Sequence, residues 1–457
     1  MQFVLPLARL RRQDVAGKCM SPHDLSRPGL FEPFGRTFVS LQFGHGNFRG
    51  NNEFNTPGIY SPPAMKFSRR SALHLAGAAA FIPAVSLDAA QVPPAPKEGP
   101  GTPKIAVGMG DSFVAGAGRG AAADPAAGPR RIKQLGVNHV LSGGPRPPWT
   151  EESLTRMMEP WKAAGISVSN LMINLSSDIL YGRTGEKRDH DIEDIKASIV
   201  AAGKVGLPVV EYNFYAHRAM EGYFEEIDTD RGGSSWTGFD YNLEQTAAQQ
   251  YQTRPAEKGM KFKDLPPLTE EGAHNLDEMW ANITYFLKAV VPVAEKNKVR
   301  LALHPNDPPA PVSRGSQQIM GSVAGWKKLI SIVDSPSNGI TFDCGVTREM
   351  GEDPVEVCRY FASRDRINHV HYRNVLVIKP YERYREVWID EGLNNMFAVM
   401  KELVKNKYSH LIYPEHPRRL DYDAERGPIP GYPGAGGYTA IAYNVGYARA
   451  MLQAAMS

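Results

Sequence analysis

Eight short β-rich runs recur between residues 104 and 416, and stretches with helical periodicity separate them. The runs are KIAVGMG (104–110), VNHVLSG (137–143), SVSNLMIN (167–174), PVVEYNF (208–214), VRLALHP (299–305), GITFDCG (339–345), INHVHYRN (367–374) and SHLIYPEH (409–416). Each has the apolar pattern of a buried strand bounded by turn or polar residues. Helix-like segments lie between them, among them 151–164, 191–203, 273–297, 322–333, 353–363 and 393–406, and Thr150 before Glu151-Glu152 supplies a helix start. Strands that alternate with helices pair in parallel, and eight such units close a sheet on itself. The spacing therefore predicts an α/β fold, a (β/α)8 TIM barrel, over residues 104–457. An open doubly wound sheet would carry G-x-G-x-x-G after its first strand; GAGRG (116–120) lacks that register.

One connection is far longer than the others, from Phe214 to about Glu271. It follows the fourth strand, on the face where barrels place their active sites. Its aromatics Tyr223, Phe224, Trp236, Phe239 and Tyr241 predict a packed cover rather than a loose loop.

Upstream of the barrel, residues 66–90 read KFSRRSALHLAGAAAFIPAVSLDAA. The Arg69-Arg70 pair, the Ala-rich apolar run from Ala72 to Val85 and the small residues after it have the layout of a twin-arginine signal, cut after Ser86 or Ala90. That run falls short of the roughly 20 apolar residues of a membrane span, so no stable membrane association is expected. The pattern predicts an exported, periplasmic protein with the twin-arginine export machinery as a partner. Residues 1–64 lack periodicity and read as a disordered or over-extended start, 65–90 as the signal, and 91–103 as a Pro/Gly linker.

A formal net charge of +3 over 457 residues, without a basic stripe, gives no case for nucleic acid. Three cysteines, Cys19, Cys344 and Cys358, make no disulfide framework.

Chemistry-bearing residues collect at the ends of the last four strands. The fifth ends in His304, the sixth in Asp343-Cys344, the seventh carries His369 and His371, and the eighth ends in Glu415-His416. Imidazoles and carboxylates from successive strand ends can converge on one divalent cation, and such an N,O set suits Mn²⁺, Mg²⁺, Co²⁺ or Zn²⁺. His369 and His371 share a face, and His371 lies nearer the mouth, which favours it as the ligand with His369 behind it.

HPNDPP, SPSNGITF, HVHYRNV and YPEHP followed by GYTAIAYNVGYARAM resemble the mannonate dehydratase family, in that order. GRTGEKRDHDIEDIKASI (182–199) and VVEYNFY (209–215) resemble its earlier strands, and the similarity spans roughly 130–452. The resemblance implies a xylose-isomerase-like barrel that removes water from D-mannonate to give 2-keto-3-deoxy-D-gluconate, with a divalent metal, typically Mn²⁺. His304 and His371 match ligand histidines. The family's cysteine ligand falls at Asp343, one residue before Cys344, and a one-residue shift turns a side chain to the other face; Asp343 is the expected ligand. Glu415 stands where the family has a ligand aspartate. The family's catalytic tyrosine matches Tyr438, with Tyr432 its neighbour and competitor.

The expected ligand set is therefore His304, Asp343, His371 and Glu415, with His416 and Tyr438 as the proton-transfer pair. Arg373 and Arg183 are expected to hold the substrate carboxylate, with Asn374 and Asp307 beside them. A small-molecule sugar acid is the expected partner, and a homo-oligomer is compatible with the sequence. The His/Asp/His/Glu set also resembles the sugar isomerase and epimerase branch of the superfamily, which keeps isomerisation as an alternative. A non-catalytic exported sugar-binding protein is the third reading.

Overall fold

Parallel strands cannot be joined by tight turns, so each β-rich run hands the chain to a helix that returns it to the same end of the sheet. The computed structural model describes residues 96–109, 126–226, 231–246, 254–425 and 434–457. The expectations for 1–64 and 65–90, the Gly run at 116–120 and Tyr432 lie outside these residues, and 91–103 is described only from residue 96.

Fourteen strands are described: β1 (Lys104–Gly108), β2 (His139–Gly143), β3 (Ser167–Ile173), β4 (Val209–Tyr212), β5 (Tyr223–Glu226), β6 (Trp236–Asp240), β7 (Arg300–Leu303), β8 (Val312–Ser313), β9 (Ser316–Gln317), β10 (Asn338–Asp343), β11 (Ile367–His371), β12 (Val375–Lys379), β13 (Arg383–Glu386) and β14 (Leu411–Tyr413). Eight form a closed barrel in the order β1-β14-β11-β10-β7-β4-β3-β2. These are the eight runs expected from the sequence, seven of them trimmed at one or both ends and β10 moved to begin one residue earlier, at Asn338.

Helix boundaries follow local chemistry. The Thr150 hydroxyl accepts from Ser153 N–H at 3.1 Å and opens the helix Glu151–Ala163. Asn275 does the same for Leu276–Lys296, accepting from Glu278 N–H at 3.0 Å. In that helix Met279, Ile283, Phe286 and Val290 lie on one buried stripe against the barrel. Burial of each such side chain contributes about 1.5–3 kcal/mol.

Register brings the strand ends level. Asp343 on β10 pairs with His371 on β11, and His371 pairs with Tyr413 on β14. His304 N–H donates to Tyr212 O at 2.9 Å, which ties the end of β7 to that of β4.

In its described residues the long connection after β4 packs as cover, as its aromatics require, but it is half of a larger element. Its strands β5 and β6 join the hairpin β12–β13, which leaves β11, in a four-stranded antiparallel sheet ordered β12-β13-β6-β5. Tyr223, Phe239, Phe262 and Tyr384 form a small separate core there. The fully buried Arg314 fastens the segment, donating to Glu221 Oε1 at 2.6 Å and to both carboxylate oxygens of Glu257 at 2.7 and 2.8 Å.

Candidate metal centre

The mouth of the barrel opens into a cavity of about 380 Å³ whose lining includes Glu211, Arg218, His304, Asp307, His371 and Glu415. Four of these six groups, Glu211, His304, His371 and Glu415, lie at or within two residues of the C-terminal end of a barrel strand.

Four groups face one another around His371 Nδ1. Glu415 Oε1 lies 2.8 Å away, His304 Nε2 3.3 Å and Asp343 Oδ2 3.7 Å. Ligand atoms about 2.1 Å from a shared ion stand roughly 3–4 Å apart. Asp343, His371 and Glu415 form one set with ligand atoms within 4.8 Å of one another, and Glu211, His304 and His371 form a second that shares His371. Each group is also oriented. His304 Nδ1 lies 2.7 Å from Pro305 O, a contact that places the proton on Nδ1 and leaves the Nε2 lone pair facing His371. Asp343 Oδ1 caps the helix Cys344–Glu349, accepting from Val346 N–H at 2.9 Å, so that Oδ2 is turned toward the cluster. Glu415 Oε1 is close to His371 without the alignment of a hydrogen bond and has no hydrogen-bond partner among the described residues. Its charge is met by His371 Nδ1 at 2.8 Å and Arg373 Nε at 3.4 Å without a hydrogen bond, which leaves the oxygen able to take a cation. Burial opposes a charge on His371, yet Glu415, Asp343 and Glu211 raise its pKa well above the ordinary value. The same concentration of negative charge attracts a divalent cation, and the donor set fits one.

Cys344 lies on the other side of the strand end. It is buried in the main apolar core, and burial pushes its thiol pKa well above the ordinary value. The one-residue step from Asp343 thus separates cluster from core.

Arg373 is placed differently from the sequence expectation. It is fully buried, with Nε 3.1 Å from Asp343 Oδ2 and 3.4 Å from Glu415 Oε1, Nη1 2.8 Å from Glu349 Oε1 and 3.5 Å from Glu386 Oε1, and Nη2 3.4 Å from Asp307 Oδ2. A guanidinium spent on five carboxylates compensates buried charge and is not among the described residues lining the cavity. Gly345 makes room for it: a Cβ there would come within 2.5 Å of the guanidinium. Asn374 braces the turn into β12, its Oδ1 accepting from Val375 and Asn394 N–H at 3.0 Å each. Arg183 is half exposed and donates to Glu270 O at 3.1 Å, away from the lining. Asp307 does reach the cavity, where its Oδ1 accepts from Tyr223 OH at 2.7 Å.

The two expected proton-transfer residues part company. His416 lines the cavity, with Nδ1 2.8 Å from Glu386 Oε1 and Nε2 3.6 Å from Glu415 Oε2. Its φ of 47° is left-handed, an uncommon state for a side-chain-bearing residue. Arg418 holds it there, donating to His416 O at 2.6 Å and to Glu386 Oε2 at 3.0 Å. Tyr438 instead opens the last helix, Tyr438–Met456, and its hydroxyl donates to Arg131 O at 3.3 Å; it is not among the described lining residues.

Two further acids belong here. Glu211, in the middle of the apolar run PVVEYNF, is held by Asn170 Nδ2 at 2.9 Å and Thr341 Oγ1 at 2.8 Å, and stands 3.7 Å from His371 Nε2. A carboxylate inside a buried strand is itself a signal that a sequence reading can use. Glu386 gives no such signal, because its importance comes from a hairpin not expected at 375–386. His369 lies behind His371, its ring centroid 4.9 Å away, and burial lowers its pKa to about 4.

Comparison with known proteins gives the family. The sequence model of the D-mannonate dehydratase (UxuA) family matches residues 124–457. A mannonate dehydratase of Streptococcus equi subsp. zooepidemicus is 29% identical over 290 residues, covering 62% of this chain and 78% of that protein. One from Thermotoga petrophila is 30% identical over 304 residues, covering 62% and 81% respectively. The crystal structure of mannonate dehydratase from Streptococcus suis serotype 2 superposes with a TM-score of 0.60 at 25% identity, covering 78% of this chain and 95% of that one. These relatives correct the expectation of an exported, periplasmic protein: mannonate dehydratases are cytoplasmic metabolic enzymes, and an Arg-Arg pair before an Ala-rich run is a weak pattern by comparison. With its family match running from residue 124 through the seven barrel strands that follow β1, the chain belongs to the mannonate dehydratase family, hydro-lyases, on a closed eight-stranded β/α barrel.

Proposed function

We propose that this chain converts D-mannonate to 2-keto-3-deoxy-D-gluconate with a divalent cation, Mn²⁺ foremost, held by His304, Asp343, His371 and Glu415. The observation that carries the ligand assignment is the set of contacts of 2.8, 3.3 and 3.7 Å that Glu415, His304 and Asp343 make around His371 Nδ1. When bound, the cation supplies positive charge that stabilises the enediolate developing beside the substrate carboxylate.

The reaction removes the proton at C2 and the hydroxyl at C3, giving water and an enol that becomes the 2-keto acid. His416 moves a proton at Nε2, the nitrogen left for the cavity once Nδ1 is committed to Glu386. Asp307, fixed by the Tyr223 hydroxyl and with a carboxylate oxygen within 4.8 Å of the Glu386–His416 pair, orients substrate hydroxyls beside that pair. Glu211 sets the ring of His371 from behind. The sheet built from β5, β6, β12 and β13 carries Glu386 and so couples the cover to the proton-transfer residue.

The deciding experiment is an assay of the purified, Mn²⁺-loaded chain on D-mannonate, scoring 2-keto-3-deoxy-gluconate, with Glu415→Ala beside it and metal content measured on both. Product from the wild type, with metal and activity both lost in the variant, supports the reading. Bound metal without product overturns dehydration and directs the search to sugar isomerisation, which uses the same cation without a leaving group.

A further inference from the structure

We propose that Arg218 binds the carboxylate of the substrate and so makes this site selective for sugar acids over neutral sugars. The inference rests on the sugar-acid reading above.

A sugar acid enters as an anion, and the cavity lining already holds the carboxylates of Glu211, Asp307 and Glu415. An anion placed among three carboxylates is repelled unless fixed positive charge faces it. The bound cation supplies one such charge, at the His371 end. The two arginines that the sequence offers for the second lie elsewhere: Arg373 is buried among five carboxylates and Arg183 is turned outward to Glu270 O. Among the described residues that line the cavity, Arg218 is the one with a permanently positive side chain.

Its setting suits the task. Arg218 sits on the segment between β4 and β5, with its side chain 28% exposed, so it is reachable from the cavity and partly shielded from water. Nε–H donates to Asp307 O at 3.0 Å, and Nη2 lies 4.0 Å from Asp307 Oδ2. The bond at Nε fixes the plane of the guanidinium. A planar fork held in place loses less entropy on meeting a carboxylate than a free side chain would. Asp307 is itself fastened by Tyr223, so the position of the fork is inherited from the covering sheet.

Steady-state kinetics of the full chain loaded with Mn²⁺ tests this, with Arg218→Gln and Arg218→Lys beside the wild type. Metal content and melting temperature serve as controls on the fold. Loss of a charge-assisted contact should raise the KM for D-mannonate about 10- to 100-fold in Arg218→Gln, leaving kcat within a few-fold and metal content unchanged. Arg218→Lys should recover part of the loss, and added guanidinium should lower the KM of Arg218→Gln. Inhibition by the uncharged D-mannonamide should change less than about twofold, because no charge is lost from that complex. An unchanged KM, or equal losses for the acid and the amide, would mean that Arg218 only braces Asp307 and would overturn the proposal. If the wild type does not turn over D-mannonate, the dehydratase reading fails separately. Calorimetry with D-gluconate against D-glucitol then decides: loss of the preference for the acid in Arg218→Gln supports the proposal, and an unchanged preference overturns it.

Discussion

His416 and Glu386 form a dyad in which the imidazole Nδ1 lies 2.8 Å from the carboxylate Oε1, although one residue follows the last barrel strand and the other closes a hairpin of the covering sheet. Glu386→Gln keeps the shape and removes the charge that fixes the ring. It should lower kcat about 10- to 100-fold, the usual cost of losing such a supporting carboxylate. In a His416→Asn background the same change should cost almost nothing, since the partner it orients is gone. Additive losses in the double variant would sink the dyad as a functional unit.

Removal of the cation should be visible without any substrate. Asp343, Glu415 and Glu211 crowd one buried place, so a divalent ion bound there stabilises the folded chain. Occupancy at a hundred times the dissociation constant is worth about 2.7 kcal/mol, so chelation should lower the melting temperature by at least about 3 °C. Glu415→Ala and His371→Ala should melt at the same temperature with and without chelator. A wild-type melt indifferent to chelation counts against the centre.

Tyr438→Phe separates the structure from the sequence expectation. The hydroxyl donates to Arg131 O rather than lining the cavity, so its removal should leave kcat/KM within about threefold and cost about 1 kcal/mol of stability. A loss of several hundred-fold in kcat would restore this tyrosine to the chemistry.

The Arg314 cluster predicts a sharp acid limit. For both Glu221 and Glu257 the pKa is lowered below 4.5, for Glu221 by His217 and Arg314 against the effect of burial, and for Glu257 first by its bond to Arg314. A carboxylate with a depressed folded-state pKa stabilises fully above its unfolded value and loses that contribution as pH falls through the folded value. The melting temperature should therefore drop steeply below about pH 4.5. Glu257→Gln should be less stable at neutral pH and show a shallower decline in acid. An identical slope would remove this cluster from the account of acid unfolding.

Gly345→Ala tests the room left for Arg373. A methyl 2.5 Å from the guanidinium forces that side chain away from Asp343 and Glu415. The variant should bind Mn²⁺ at least tenfold more weakly, since the carboxylates lose the group that aligns them. Unaltered affinity would show that Arg373 compensates charge without setting ligand geometry.

The barrel was legible because parallel strands buried on both faces leave continuous apolar runs, and His304, Asp343, His371 and Glu415 stand out at their polar ends. Roles beyond the strand ends were not. Arg373 looks like a ligand-binding arginine in sequence, yet five carboxylates from separate segments surround it in space. Glu386 sits in RYRE, a run whose strand character depends on pairing with β6 more than a hundred residues earlier. Local pattern carries no trace of such a partner. Tyr438 shows the opposite case, a motif position matched in order while the hydroxyl donates to Arg131 O.

Barrel closure has a consequence for how the protein matures. β14 completes the ring by pairing with both β1 and β11, and Glu415 follows it by two residues. On the ligand set proposed above, the chain gathers His304, Asp343 and His371 first, and Glu415 arrives only with β14, which docks on β11 and β1. Tight capture of a cation would then come with the last step of assembly, and a chain still lacking β14 would offer an open, weaker site.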